Sequence, residues 1–176
     1  MKPIDYQKRF AHVENWHVVT KTGVVHVGSP ERLLVVVDES PSRIGQKVLG
    51  GAKGEKLADL FGFKDRDELL ENVDALNLLL CWTGRAKTGE VLFLMRSAKR
   101  EWNHLRFEAG GVILLGRVGG MLGLGPLSEV KTDYPSRTIA LPRPSDRWWK
   151  DRDNVKAARK VLEPWAEFAK YGRWPR

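Results

Sequence analysis

The chain has 176 residues, enough for one domain with a sizeable core and too few for two full ones. Hydrophobic content of 42% and charged content of 30% are ordinary for a soluble globule. A formal charge of +8 points to a polyanionic partner.

Residues 1–30 read as an N-terminal extension packed on a single domain spanning 31–176. Within the extension, Trp16–Thr20 and Val24–Val27 can pair as a hairpin around Lys21-Thr22-Gly23. Leu33–Val37 is a continuous apolar run with three β-branched valines, the signature of a strand buried on both faces. It ends in Asp38-Glu39-Ser40-Pro41-Ser42, followed by a Gly-rich loop through Gly54 and short helices at Glu55–Phe61 and Asp65–Glu71. A second strand is expected at Ala75–Trp82, then a turn at Thr83–Gly89 and a helix over Glu90–Arg106. Gly111–Gly116 reads as another buried strand running into a small helix at Arg117–Gly123. Thr138–Leu141 is the last strand, and Asp153–Tyr171 a final amphipathic helix.

Strands alternating with helices predict an α/β fold, a three-layer α/β/α arrangement with a central, mostly parallel sheet. Ligands bind such sheets at the carboxyl ends of the strands. Three polar clusters fall there: Asp38–Ser42, Asn77 with the Thr83–Lys87 turn, and Arg143–Trp149.

Familiar cofactor motifs do not fit. The run Gly116-x-x-Gly119-Gly120-x-x-Gly123-x-Gly125 lacks the G-x-G-x-x-G spacing, so close helix–sheet packing explains those glycines better than a dinucleotide. Gly50-Gly51-Ala52-Lys53-Gly54 lacks the Lys-Ser/Thr pair of a phosphate-binding loop, and no Gly-Ser hydrolase elbow is present. Cys81 is the single cysteine, which excludes an internal disulfide, a cysteine-rich zinc site and a four-cysteine iron–sulfur cluster held by this chain. It lies in an apolar run and reads as a buried thiol. His12, His17, His26 and His104 show no ligand spacing, so neither metal nor cofactor is expected. The first residues, Met1–Asp5, carry no apolar stretch and no segment is long enough to span a bilayer, which predicts a cytoplasmic protein with no membrane partner. A monomer is the separate expectation.

The densest chemistry lies in Leu141-Pro142-Arg143-Pro144-Ser145-Asp146-Arg147-Trp148-Trp149-Lys150-Asp151. Prolines fix the backbone there, and the turn carries cations suited to phosphates and indoles suited to base faces. The plainer reading is a surface turn whose tryptophans plug the core. The charge run Lys150–Arg159 reads as a solvated helix face.

Taken in order, these segments resemble the uracil-DNA glycosylase superfamily. Its members carry a strand ending in a motif such as GEAPG, a strand with an Asn, a strand–helix unit, and a loop beginning HPS. Here the corresponding runs are Val37-Asp38-Glu39-Ser40-Pro41-Ser42, Leu76-Asn77-Leu78-Leu79, Val112–Arg117 with Leu122-Gly123-Leu124, and Pro142-Arg143-Pro144-Ser145. The tail from Asp146 to Asp151, with Asn154, is also similar, and the resemblance covers roughly residues 31–165. It implies a fold of that superfamily and an enzyme that flips a nucleotide out of DNA and hydrolyses its N-glycosidic bond. Glu39 stands at the place of a catalytic Glu, Ser40 at that of an Asp or Asn in other branches, and Asn77 at that of the base-reading Asn. Arg143 replaces the His of the last motif and Asp38 the first Gly of the first.

The residues carry that chemistry on their own terms. Rupture of a C1′–N bond passes through an oxocarbenium-like sugar, which a carboxylate stabilises while positioning water. On an extended segment Asp38 and Glu39 point apart, so one can face a pocket while the other meets solvent or a basic neighbour. Glu39 is the expected catalytic carboxylate and Asp38 the fallback; a helix-capping role is the alternative. Asn77 has the donor and acceptor to read a base edge, although a strand-end Asn can equally bond local backbone. The charged Arg143 guanidinium can stabilise a departing base anion or clamp a phosphate. Ser42, Arg43, Arg143, Ser145, Arg147, Trp148 and Lys150 form the expected DNA contacts, with Ser40 and Asn77 in the base pocket. The expectation is thus a monofunctional glycosylase with DNA as partner, acting on a damaged or phage-modified base in repair or antiviral defence. A catalytically inert DNA-binding relative is the second reading, and an ordinary nucleotide- or cofactor-binding α/β protein the third.

Overall fold

The structure, a computed structural model, describes residues 26–28, 34–39, 48–77, 110–121, 123–131, 137–143 and 147–176. Its strands are β1 (His26–Gly28), β2 (Leu34–Asp38), β3 (Asp74–Asn77), β4 (Gly111–Leu115), β5 (Glu129–Lys131) and β6 (Arg137–Leu141). Its helices are α1 (Ala52–Phe61), α2 (Arg66–Asn72), α3 (Arg117–Met121) and α4 (Arg152–Tyr171), with a 3-10 turn at Arg147–Lys150.

The strands form one sheet in the order β1-β3-β2-β4-β6-β5. The central four, β3, β2, β4 and β6, run parallel, and β1 and β5 close the two edges antiparallel. The expected α/β class with a mostly parallel sheet is therefore the observed one. All five residues of β2 and of β4 are buried, and all but the terminal Asp38 of β2 are apolar or glycine, as strands covered on both faces require.

Side-chain alternation divides the core in two. Leu34, Val36, Ala75, Ile113, Leu115, Ile139 and Leu141 share a cluster with Leu57 and Phe61 of α1, Leu69 of α2, and Leu162, Trp165 and Phe168 of α4. Their buried neighbours Val35, Val37, Val112, Leu114 and Ala140 stand outside that cluster and face the other way. There α3 comes so close to β6 that a Cβ on Gly119 would lie 2.6 Å from that of Ala140. Close packing is thus the role of Gly119, as the sequence suggested.

Two local details depart from expectation. The Gly-rich loop stops at Gly51, and Gly54 belongs to α1. A side chain at Gly54 would meet the Leu49 carbonyl at 2.0 Å, because the preceding turn wraps over the first turn of the helix. Arg66 holds that turn, donating to the carbonyls of Leu49 (3.0 Å) and Val48 (2.8 Å). Strand β5 was not anticipated: three residues give too short an alternation to read, and the pairing with β6 makes the strand. The sheet also takes in His26–Gly28, ahead of residue 31. The other arm of the expected hairpin, the Thr83–Gly89 turn, the Glu90–Arg106 helix and Cys81 lie outside the described residues.

Helix α4 carries its own signals. Asp151 caps it by accepting from the amides of Asp153 (2.9 Å) and Asn154 (3.4 Å), and Gly172 ends it in the left-handed conformation at φ 66°. Beyond it, Trp174 stacks on Phe168 at 4.2 Å and meets the edge of Trp165 at 4.9 Å. Among the described residues no helix is long and apolar enough to cross a membrane.

Candidate active site

The topology fixes where a ligand site should be. From β2 the chain goes to β3 on one side, while from β4 it goes to β6 on the other. The carboxyl ends of β2 and β4 therefore flank a switch point, where the connections leave in opposite directions and a crevice opens. Asp38 ends β2 and Glu39 follows it at that point, while Gly116 and Arg117 follow β4.

A cleft of about 540 Å³ lies there, within the roughly 300–1,000 Å³ typical of small-molecule sites. Glu39, Arg117, Gly120, Pro142, Arg143 and Trp148 are among its lining residues. The turn out of β4 needs Gly116, whose φ is 60° and whose Cβ position lies 3.3 Å from the Arg143 Cβ. That close approach lets β6 deliver Arg143 to the same wall. Gly120 leaves open space, with nothing within 4 Å of a Cβ built on it.

The two carboxylates do point apart. Glu39 lines the cleft and is 1% exposed; Asp38 is fully buried and faces the α1 side of the sheet, where Lys53 pairs with it. The remaining Asp38 oxygen accepts from the Glu39 amide at 2.8 Å. The Glu39 carboxylate is gripped by Arg117, whose Nε donates to Oε2 at 2.7 Å and whose Nη2 donates to Oε1. Arg143 bridges both acids, its Nη2 standing 3.9 Å from Asp38 Oδ1 and 3.7 Å from Glu39 Oε2. Lys53, Asp38, Arg143, Glu39 and Arg117 thus form a chain of alternating charges across the ends of the sheet. Hydrogen bonding to Glu39 raises the Arg117 pKa above its ordinary value, against the lowering effect of burial and with a further contribution from the carboxylate charge.

Trp148 and Trp149 divide the two roles proposed for them. Trp149 is core: its Nε1 donates to the carbonyls of Arg143 (2.9 Å) and Pro142 (3.2 Å), fixing the backbone that carries Arg143. Trp148 is half-buried, lines the cleft, and meets Trp149 edge to face at 4.6 Å. Asn154 Nδ2 donates to the Trp148 carbonyl at 3.1 Å, so this part of the C-terminal motif holds its own turn. Arg147 and Lys150 on the 3-10 turn are exposed.

Asn77 is buried at the end of β3, with Oδ1 accepting no hydrogen bond among the described residues. Its Cα pairs with that of Asp38, so the pleat sends its side chain to the Asp38 face, away from Glu39, and it does not line the cleft. Ser40, Ser42, Arg43 and Ser145 lie outside the described residues. Sequence reasoning missed two members of the cluster. Arg117 stood inside a quoted motif, and its place directly after a buried strand and a glycine was the available signal. Lys53 had none, because only the fold of the 48–51 turn and α1 brings it beneath Asp38. Among the described residues no group of His, Cys, Asp and Glu side chains could hold a metal ion.

No protein-family model matches the chain, and no curated protein is significantly similar to it in sequence.

Proposed function

We propose that the protein is a DNA glycosylase with a uracil-DNA glycosylase-like fold, hydrolysing the N-glycosidic bond of a flipped-out damaged or phage-modified base to leave an abasic site. The observation that carries this reading is a buried carboxylate, Glu39, in the wall of a cleft at the switch point, with two arginines and an indole around it. As an anion Glu39 stabilises the oxocarbenium-like sugar. Arg143 supplies fixed positive charge for the departing base anion. Trp148 offers a face on which an extruded nucleotide or its neighbour can stack. Exposed Arg147 and Lys150 extend the basic surface toward flanking phosphates. For Asn77 as base reader, the buried Oδ1 that accepts no hydrogen bond among the described residues is the favourable feature, and its place on the opposite face from Glu39 the unfavourable one.

A second reading, an inert DNA-binding relative, is favoured by one specific observation. Both Glu39 oxygens accept hydrogen bonds from Arg117, so neither is left open to orient a water. The two readings part at Glu39→Gln. In a glycosylase this change abolishes base release and retains DNA affinity. Base release surviving in both Glu39→Gln and Asp38→Asn would rule out these carboxylates as the catalytic groups.

A further inference from the structure

Arg117 presents a guanidinium fork at a cleft, and what occupies the fork is the protein's own acid. Its side chain is 44% exposed while the Glu39 side chain beneath it is 1% exposed, so the cation can be reached from solvent and the carboxylate cannot. Nε and Nη2 are the two donors committed to Glu39. This planar pair of donors fits a phosphate as well as it fits a carboxylate. Beside it Gly120 contributes no side chain and leaves room for a tetrahedral group to approach. A second guanidinium, that of Arg143, stands 3.7 Å from the same carboxylate.

From this geometry we infer that Arg117 is a phosphate-binding residue whose fork is occupied, before ligand arrives, by Glu39 acting as an internal competitor. A phosphate entering the cleft takes the fork from the carboxylate. The exchange binds the ligand and frees the Glu39 oxygens in a single movement, so that Glu39 can accept from water only when a phosphate-bearing ligand is in place. The inference rests on the glycosylase reading for its catalytic consequence, but the phosphate site stands or falls independently of it.

The test is a double-mutant cycle on the purified full chain, with each variant first checked for a cooperative thermal transition. Binding of a short labelled single-stranded oligonucleotide is followed by fluorescence anisotropy, and inorganic phosphate is titrated as competitor. Removing the competing charge in Glu39→Gln tightens binding by about tenfold, in keeping with the coupling of close charge pairs. In the Arg117→Gln background the same change at Glu39 gains nothing. Glu39→Asp, which shortens the arm and loosens the fork, gives a smaller gain in the same direction and serves if the Gln variant does not fold. An oligonucleotide bound more tightly than inorganic phosphate assigns the site to nucleic-acid phosphodiesters, and equal binding assigns it to free phosphate compounds. Unchanged or weaker binding in the Glu39 variants, or a gain that persists without Arg117, overturns the inference. Because this readout is affinity alone, it is separable from failure of the glycosylase reading, which would show as no base release whatever the affinity.

Discussion

At the scale of single residues, the cluster depends on which way adjacent side chains turn. Asp38 and Glu39 are consecutive, yet one is held by Lys53 on the α1 side and the other by Arg117 in the cleft. The alternation of an extended chain separates them, and it was legible in the sequence. Their partners were not, because Arg117 lies 78 residues from Glu39 and only the sheet brings them together. The paired tryptophans make the same point. A WW pair read from sequence cannot say which indole is core, since that depends on how the 3-10 turn sits against the sheet. The burial of the two predicts opposite outcomes for identical substitutions. Trp149→Ala should lower stability by about 3–5 kcal/mol in a denaturant melt. Trp148→Ala should leave the fold nearly intact and weaken binding of single-stranded DNA by about 1–3 kcal/mol, the usual worth of a stacked base. Equal destabilisation by both would contradict the division of roles described here.

At the scale of elements, hydrophobic pattern and end signals made most of the fold readable. β4, and β2 up to its terminal Asp38, are apolar because both faces are covered. In α4 the buried positions Ala158, Leu162, Trp165, Phe168 and Ala169 follow helical spacing between an Asp cap and a terminal Gly. Where reading failed, a tertiary contact had decided the matter. Gly54 reads as loop but serves a helix crowded by its neighbours, and β5 exists only as a partner for β6. Gly119 is the element-scale residue on which the site depends. A side chain there would push α3 off β6 and carry Arg117 away from Glu39. Gly119→Val should destabilise the protein by about 1–3 kcal/mol, the usual range for overpacking, as measured by urea denaturation. The same change at Gly120, with open space around its Cβ position, should cost much less, and a reversal of that order would mean that α3 does not pack on β6 as described.

For the whole molecule, strand order and charge act together. The order β3-β2-β4-β6 places the crevice at the ends of β2 and β4, which is where the acidic and basic side chains converge. The polar clusters at strand ends were visible in the sequence, but the strand order that selects among them was not, since connection lengths do not say on which side of β2 the chain returns. With a formal charge of +8, binding to DNA should be dominated by phosphate contacts. Affinity should then fall linearly on a log–log plot against salt concentration, and a flat dependence would count against a nucleic-acid partner. The most direct measurement is base release itself. The protein is incubated with DNAs carrying uracil, hypoxanthine, mismatched thymine or natural phage hypermodifications, and abasic sites are read as alkali-labile breaks. The account predicts breaks in one of these substrates, lost in Glu39→Gln while that variant still binds DNA. Absence of breaks in every substrate despite salt-sensitive binding would contradict it, and would leave a protein that holds DNA without cutting the glycosidic bond.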